Sequence, residues 1–177
     1  GRIAQNSLYY HEGPTAPIPQ DLPSFAYQMH VPAGIRRAKP WTICLSGLFD
    51  PPTTSQFTLD RQAAMSIYHD GIGMIVSGAN SKHQPELATF METADDQVTS
   101  VPLSSRLKMT DTGDQLGIAH RRFFAVLDVA PLEPERVLFK FEIVEQGKGR
   151  MQEAQLNLQL VLKAGESLET AQTQLTL

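Results

Sequence analysis

Ala154-Gln-Leu-Asn-Leu-Gln-Leu-Val-Leu-Lys163 is the stretch on which the fold turns. Ala154, Leu156, Leu158, Leu160 and Leu162 share one parity, with Gln155, Asn157, Gln159 and Lys163 on the other. Leucine and glutamine are good helix formers. Five apolar residues at strict period two, however, would spread around a helix and leave no stripe. On a pleated strand they line one face. The stretch therefore reads as a strand, and the same alternation extends outward from it.

Val137, Phe139, Phe141 and Ile143 alternate with Lys140 and Glu142, and Gln146-Gly-Lys-Gly149 turns the chain between the two strands. Ile118 to Val129 is apolar on both faces and reads as one long central strand ended by Pro131 and Pro134. Asp111-Thr-Gly-Asp114 is a turn by composition, preceded by a weakly alternating Ser105–Thr110. Toward the N-terminus, Phe25, Tyr27, Met29 and Val31 form one apolar face. Trp41, Ile43, Leu45 and Phe49 form another, closed by Asp50-Pro51-Pro52. Residues 56–60 add a short strand, and Ile72–Ser77 a glycine-flanked one. The helix candidates are 63–69, ambiguous with strand, and 86–93. The fold class expected is all-β, an antiparallel β-sandwich (supersandwich) with at most one or two short helices. Residues 1–24, with Gly13-Pro14, Pro17, Pro19 and Pro23, form an irregular N-terminal segment or linker, and 25–177 a single sandwich domain.

The 177 residues are 41% hydrophobic, enough for a core, and the net charge of −4 gives no reason to expect nucleic acid or an anionic membrane as partner. No run approaches the roughly 20 apolar residues of a membrane span. No signal peptide is visible. The chain opens on Gly1 rather than Met and is expected to be a segment excised from a larger protein. The single cysteine, Cys44, lies in the apolar run Trp41–Leu45 and is expected to be buried.

Catalytic motifs are missing. Gly71-Ile-Gly73 lacks the spacing of a dinucleotide fingerprint and serves a tight turn better. There is no H-E-x-x-H or G-x-S-x-G. His11, His30, His69, His83 and His120 are scattered, and His69-Asp70 would point to opposite faces of a strand rather than share a metal. Asp95-Asp96 and Glu133-x-Glu135 read as solvated loop charges. No cofactor or metal is expected.

Two constellations could bind a ligand. Gly78-Ala-Asn-Ser-Lys-His-Gln-Pro85 gathers Asn80, Lys82, His83 and Gln84, groups that bind sugar hydroxyls or carboxylates, although Asn and Ser in a loop also bond local backbone. His120-Arg121-Arg122 places His120 and Arg122 on one face, where arginine can hold a carboxylate or sulfate bidentately or pair with a neighbouring acid. Arg61 is a third cation, equally served by an ion pair.

The run from Tyr68 to Phe90 resembles a segment of bacterial heparinase II/III-like polysaccharide lyases, in which a glycine-rich strand leads into an N-[ST]-K-x-Q-P loop and a T-F pair. The matching residues are Gly71, Gly73, Gly78, Asn80, Ser81, Lys82, Gln84, Pro85, Thr89 and Phe90, with a weaker likeness at Tyr9-Tyr-His-Glu-Gly-Pro14. The resemblance implies an upstream α/α toroid packed on this supersandwich, which is related to the galactose-mutarotase-like fold. It also implies a periplasmic or secreted protein and an acidic polysaccharide as ligand. Such lyases remove the proton beside a uronic carboxylate with tyrosine and histidine drawn mostly from the toroid. No catalytic residue of theirs matches a position here. The function expected is therefore a non-catalytic sandwich domain of a polysaccharide-degrading protein, helping to wall a sugar cleft. The alternatives are an independent carbohydrate-binding module and a purely structural sandwich.

Overall fold

The computed structural model describes residues 13–14, 17–18, 21–48, 64–77, 90–94, 97–99, 103–145, 151–169 and 174–176. Every regular element among them is a β-strand. They are β1 Ser24–Gln28, β2 Ala33–Ala38, β3 Trp41–Ser46, β4 Met65–His69, β5 Gly73–Ser77, β6 Phe90–Ala94, β7 Gln97–Thr99 and β8 Ser104–Met109. Then follow β9 Asp114–Ala119, β10 Phe123–Glu133, β11 Arg136–Glu145, β12 Met151–Leu156, β13 Gln159–Leu160, β14 Ser167–Glu169 and β15 Gln174–Thr176. A six-stranded antiparallel sheet in the order β1-β2-β3-β4-β5-β13 faces a four-stranded one, β11-β10-β9-β8, with a three-stranded sheet β12-β6-β7 beside them. The all-β antiparallel sandwich is thus the observed architecture.

Period two selects the side chains that meet between the sheets. Ile43, Ile67 and Val76 from one sheet meet Leu116, Ile118, Phe123, Ala125, Leu127 and Val129 from the other in one core cluster. Each large apolar side chain removed from water there contributes roughly 1.5–3 kcal/mol. At the contact of β2 with β8, Gly34 lets the sheets close. A Cβ there would lie 2.6 Å from Met109 Sδ and 2.9 Å from the Tyr27 carbonyl oxygen.

The deciding stretch is extended but not continuous. It pauses at Asn157-Leu158, so that β12 pairs with β6 while β13 pairs with β5. One run of sequence therefore joins two sheets. Ala154, Leu156 and Leu158 pack against the core, whereas Leu160 is exposed.

Several expectations are corrected. The helix candidate 63–69 contains the strand Met65–His69, paired on both sides. Of 86–93, residues 90–93 are strand and 86–89 lie outside the described residues. The expected single strand from Ile118 to Val129 is two strands joined by a hairpin at His120–Arg122. β10 runs on through Pro131 to Glu133, its register shifting there because proline has no N–H for the ladder. In β1 only Phe25 is half-buried; Ala26 and Gln28 lie on the side toward β8 but are exposed, with Gln28 Nε2 donating to the Leu107 carbonyl at 3.1 Å. Tyr27 and the following Met29 and Val31 are exposed. Cys44 is also exposed, standing in the row Tyr27–Ile35–Cys44–Ser66 on the outer face of the sheet. Gly71-Ile-Gly73 does make the tight β4–β5 turn, with Gly73 at φ +98°. The strand expected at 56–60 and the carboxylates Asp95-Asp96 lie outside the described residues.

Candidate functional site

Of the predicted ligand-binding residues, Arg61, Asn80, Lys82, His83 and Gln84 lie outside the described residues. His120 and Arg122 occupy the β9–β10 hairpin, closed by the His120 N–H donating to the Phe123 carbonyl at 2.9 Å. His120 does not face a ligand. Its ring stacks on Phe123, with centroids 4.4 Å apart, and its side chain is 0% exposed. The Nδ1 atom lies 3.9 Å from Oε2 of Glu92 on β6, whose side chain is also buried. That separation is too long for a hydrogen bond. Among the described residues neither ring nitrogen nor Glu92 Oε2 has a hydrogen-bond partner. Burial pushes the imidazole pKa down from 6.5 to about 4, so at neutral pH His120 is uncharged. Arg122 is half-buried in the same hairpin. Sequence reasoning missed Glu92 because it lay in a segment read as a helix candidate, and nothing local ties it to His120.

Two buried arginines on β2 were also missed, although Arg36-Arg37 is adjacent in sequence. Alternation sends them to opposite faces. Arg36 points between the sheets and grips Asp114 through Nε to Oδ2 at 2.8 Å and Nη2 to Oδ1 at 2.6 Å, also donating to the Thr110 carbonyl. Arg37 points outward and holds Asp70 through two bonds, of 2.9 and 2.6 Å, and Thr42 Oγ1 at 3.0 Å. Those bonds hold the Asp70 carboxyl below its ordinary pKa. Asp70 is thereby committed to an arginine. His69 is committed as well: its Nδ1 accepts the Gly71 N–H at 3.1 Å, which leaves Nε2 to donate to the Pro134 carbonyl at 3.1 Å. Among the described residues no three potential metal ligands come together.

The described surface offers two concave regions that bear on binding. One, about 520 Å³, lies on the outer face of the six-stranded sheet among Asp21, Arg37, Lys39, Thr42, Tyr68 and Asp70. Its formal charges cancel. The other, about 290 Å³, lies on the outer face of the four-stranded sheet. Strand register builds it: Lys108 stands opposite Gln115, Gln115 opposite Asp128, and Asp128 opposite Lys140. These four side chains form one row across four strands, with the lysine backbones about 14 Å apart at the usual strand spacing. Gln115 Nε2 donates to Asp128 Oδ1 at 2.8 Å, which orients the centre of the row. Thr110 and Thr112 close one side and Leu138 with Ala130 supplies an apolar wall. Asp114 touches the cleft, but its charge is taken by Arg36. Lys140 is bonded to Glu142 at 3.1 Å and Asp128 stands in the row, so Lys108 and Lys140 are balanced by two carboxylates, with both cations exposed at the ends of the row. The polar parity of each strand is visible in the sequence, but the register that aligns the four residues is not. The chain gives no match to any family model, curated protein or solved structure with which it was compared.

Proposed function

We propose that this chain is a non-catalytic β-sandwich domain that binds an acidic polysaccharide, as part of a heparinase II/III-like polysaccharide-degrading protein. The observation that carries the binding half is the Lys108–Gln115–Asp128–Lys140 row. It combines two exposed cations, an oriented amide–carboxylate pair and threonine hydroxyls in one open cleft. Uronic carboxylates or sulfates spaced along a sugar chain match cations at the two ends, and hydroxyls match the centre. An open cleft suits an internal segment of a polymer.

Packing on a helical partner domain finds support on the other sheet. Its outer face exposes Tyr27, Tyr68 and Met74, with Cys44 among them. Apolar side chains grouped on one sheet face are what an interdomain contact covers.

The test is affinity electrophoresis of the chain through gels holding polygalacturonate, alginate or heparin, with starch as the neutral control. Retardation by an acidic polymer, weakened by salt and cut about ten-fold by Lys108→Ala with Lys140→Ala, is expected. Equal retardation by starch, or an unchanged double variant, overturns the assignment. An ultraviolet band of unsaturated uronate formed by the chain alone would overturn the non-catalytic half.

A further inference from the structure

The ten residues of β11, Arg-Val-Leu-Phe-Lys-Phe-Glu-Ile-Val-Glu, form one edge of the four-stranded sheet and pair only with β10 among the described residues. The strand holds no proline or glycine, and it displays Leu138 (54% exposed), Phe139 (39%) and Val144 (44%). A long, apolar edge that no strand among the described residues pairs is a template for another strand. We propose that the occupant is β11 of a second copy of this chain, paired antiparallel about a two-fold axis through Phe141.

The register follows from the sequence of the strand. In an antiparallel pair only residues of equal parity can stand opposite each other, because their backbone groups must point the same way. Four registers meet that condition and pair at least seven residues, centred on Phe139, Lys140, Phe141 or Glu142, and the Phe139 register pairs only seven against the nine of Phe141. Centring on Lys140 sets the two copies of Lys140 against each other, and centring on Glu142 does the same for that carboxylate. Like charges directly opposed are unfavourable. Centring on Phe141 sets Lys140 against Glu142 of the second copy, twice by symmetry. It also sets Leu138 against Val144 on the outer face and Phe139 against Ile143 on the inner one. The ion pair has the necessary reach, since Lys140 Nζ already bonds Glu142 Oε2 at 3.1 Å within the strand. In the dimer each lysine exchanges that carboxylate for its counterpart. The interface is isologous, as a two-fold axis requires. The joined sheet has eight strands, and the axis stands normal to it, so both clefts open on one face. The dimer does not depend on what those clefts bind.

Sedimentation equilibrium of the whole chain, with Trp41 fluorescence as a check on folding, tests the pairing. The wild type should sediment as a dimer at micromolar concentration. Lys140→Glu alone, and Glu142→Lys alone, each oppose like charges twice and should raise the dimer Kd at least about ten-fold. The double variant Lys140→Glu with Glu142→Lys restores both cross-strand pairs and should restore the dimer. In a Cys44→Ser background, Leu138→Cys with Val144→Cys should cross-link two chains on mild oxidation. A wild type that stays monomeric at several hundred micromolar, or a dimer indifferent to the single charge reversals, overturns the proposal.

Discussion

Lowering the pH from 7 to 5 should weaken the fold through one side chain, His120. Its imidazole is enclosed between Phe123 and Glu92 and is neutral in the folded chain, with its pKa lowered from 6.5 to about 4 by burial. In the unfolded chain it titrates normally. As pH falls through 6.5 the unfolded state takes up a proton that the folded state refuses, so stability declines with falling pH until the folded pKa is reached. One pKa unit is about 1.4 kcal/mol. The full loss is about 3 kcal/mol, spread between the two pKa values, and about 2 kcal/mol of it falls between pH 7 and pH 5. Asp70 does not blur this window. Its folded pKa lies below the ordinary 3.8, so the stability it contributes is present above that value and is lost only at still lower pH. The assay is urea unfolding followed by the fluorescence of the single tryptophan, Trp41, which is buried. It is run at several pH values on the wild type, on His120→Leu, and on His120→Gln in case leucine is not tolerated. The advantage of wild type over each variant should shrink by about 2 kcal/mol from pH 7 to pH 5. A difference that stays constant across that range would refute the assignment of a neutral, shielded imidazole.

Further outcomes follow from the same packing. Gly34→Ala should destabilise by about 1–3 kcal/mol. The added methyl meets the Tyr27 carbonyl, a backbone atom that cannot swing aside, as well as Met109. Its urea midpoint should fall with the slope unchanged, and a neutral result would mean that the sheets are not in contact at that point. Asp114→Ala strands the Arg36 guanidinium between the sheets and should cost about 3–5 kcal/mol. Replacing Arg36 with Met in the same chain should recover much of that loss, because the uncompensated charge is then gone. Failure of the second substitution to help would show that Asp114 matters for some reason other than its ion pair.

Alternation carries different amounts of information at different places. At Ala154–Leu162 it separates strand from helix, because a side chain's parity along an extended backbone is a local property. The same holds for β3 and β11, which the sequence places well. At Phe25–Val31 alternation finds two faces and cannot say which one turns inward. Of the larger, more apolar face only Phe25 is half-buried, while Tyr27, Met29 and Val31 are left exposed. At Ile118–Val129 a continuous apolar reading hid a hairpin, because the turn is built from His120, Arg121 and Arg122 rather than from glycine, asparagine or proline.

What the sequence determined by itself is the all-β class and individual strands such as β3 and β11, each fixed by interactions a few residues apart. Only the tertiary structure decided that one leucine-rich run would split between two sheets and that His120 would meet Glu92 in the interior. The alignment of Lys108, Gln115, Asp128 and Lys140 in one row belongs to the same group. The physical reason is register. A slip of one residue exchanges the two faces of a strand, and a slip of two moves every cross-strand neighbour. Partners distant along the chain set that choice by how well the whole sandwich closes.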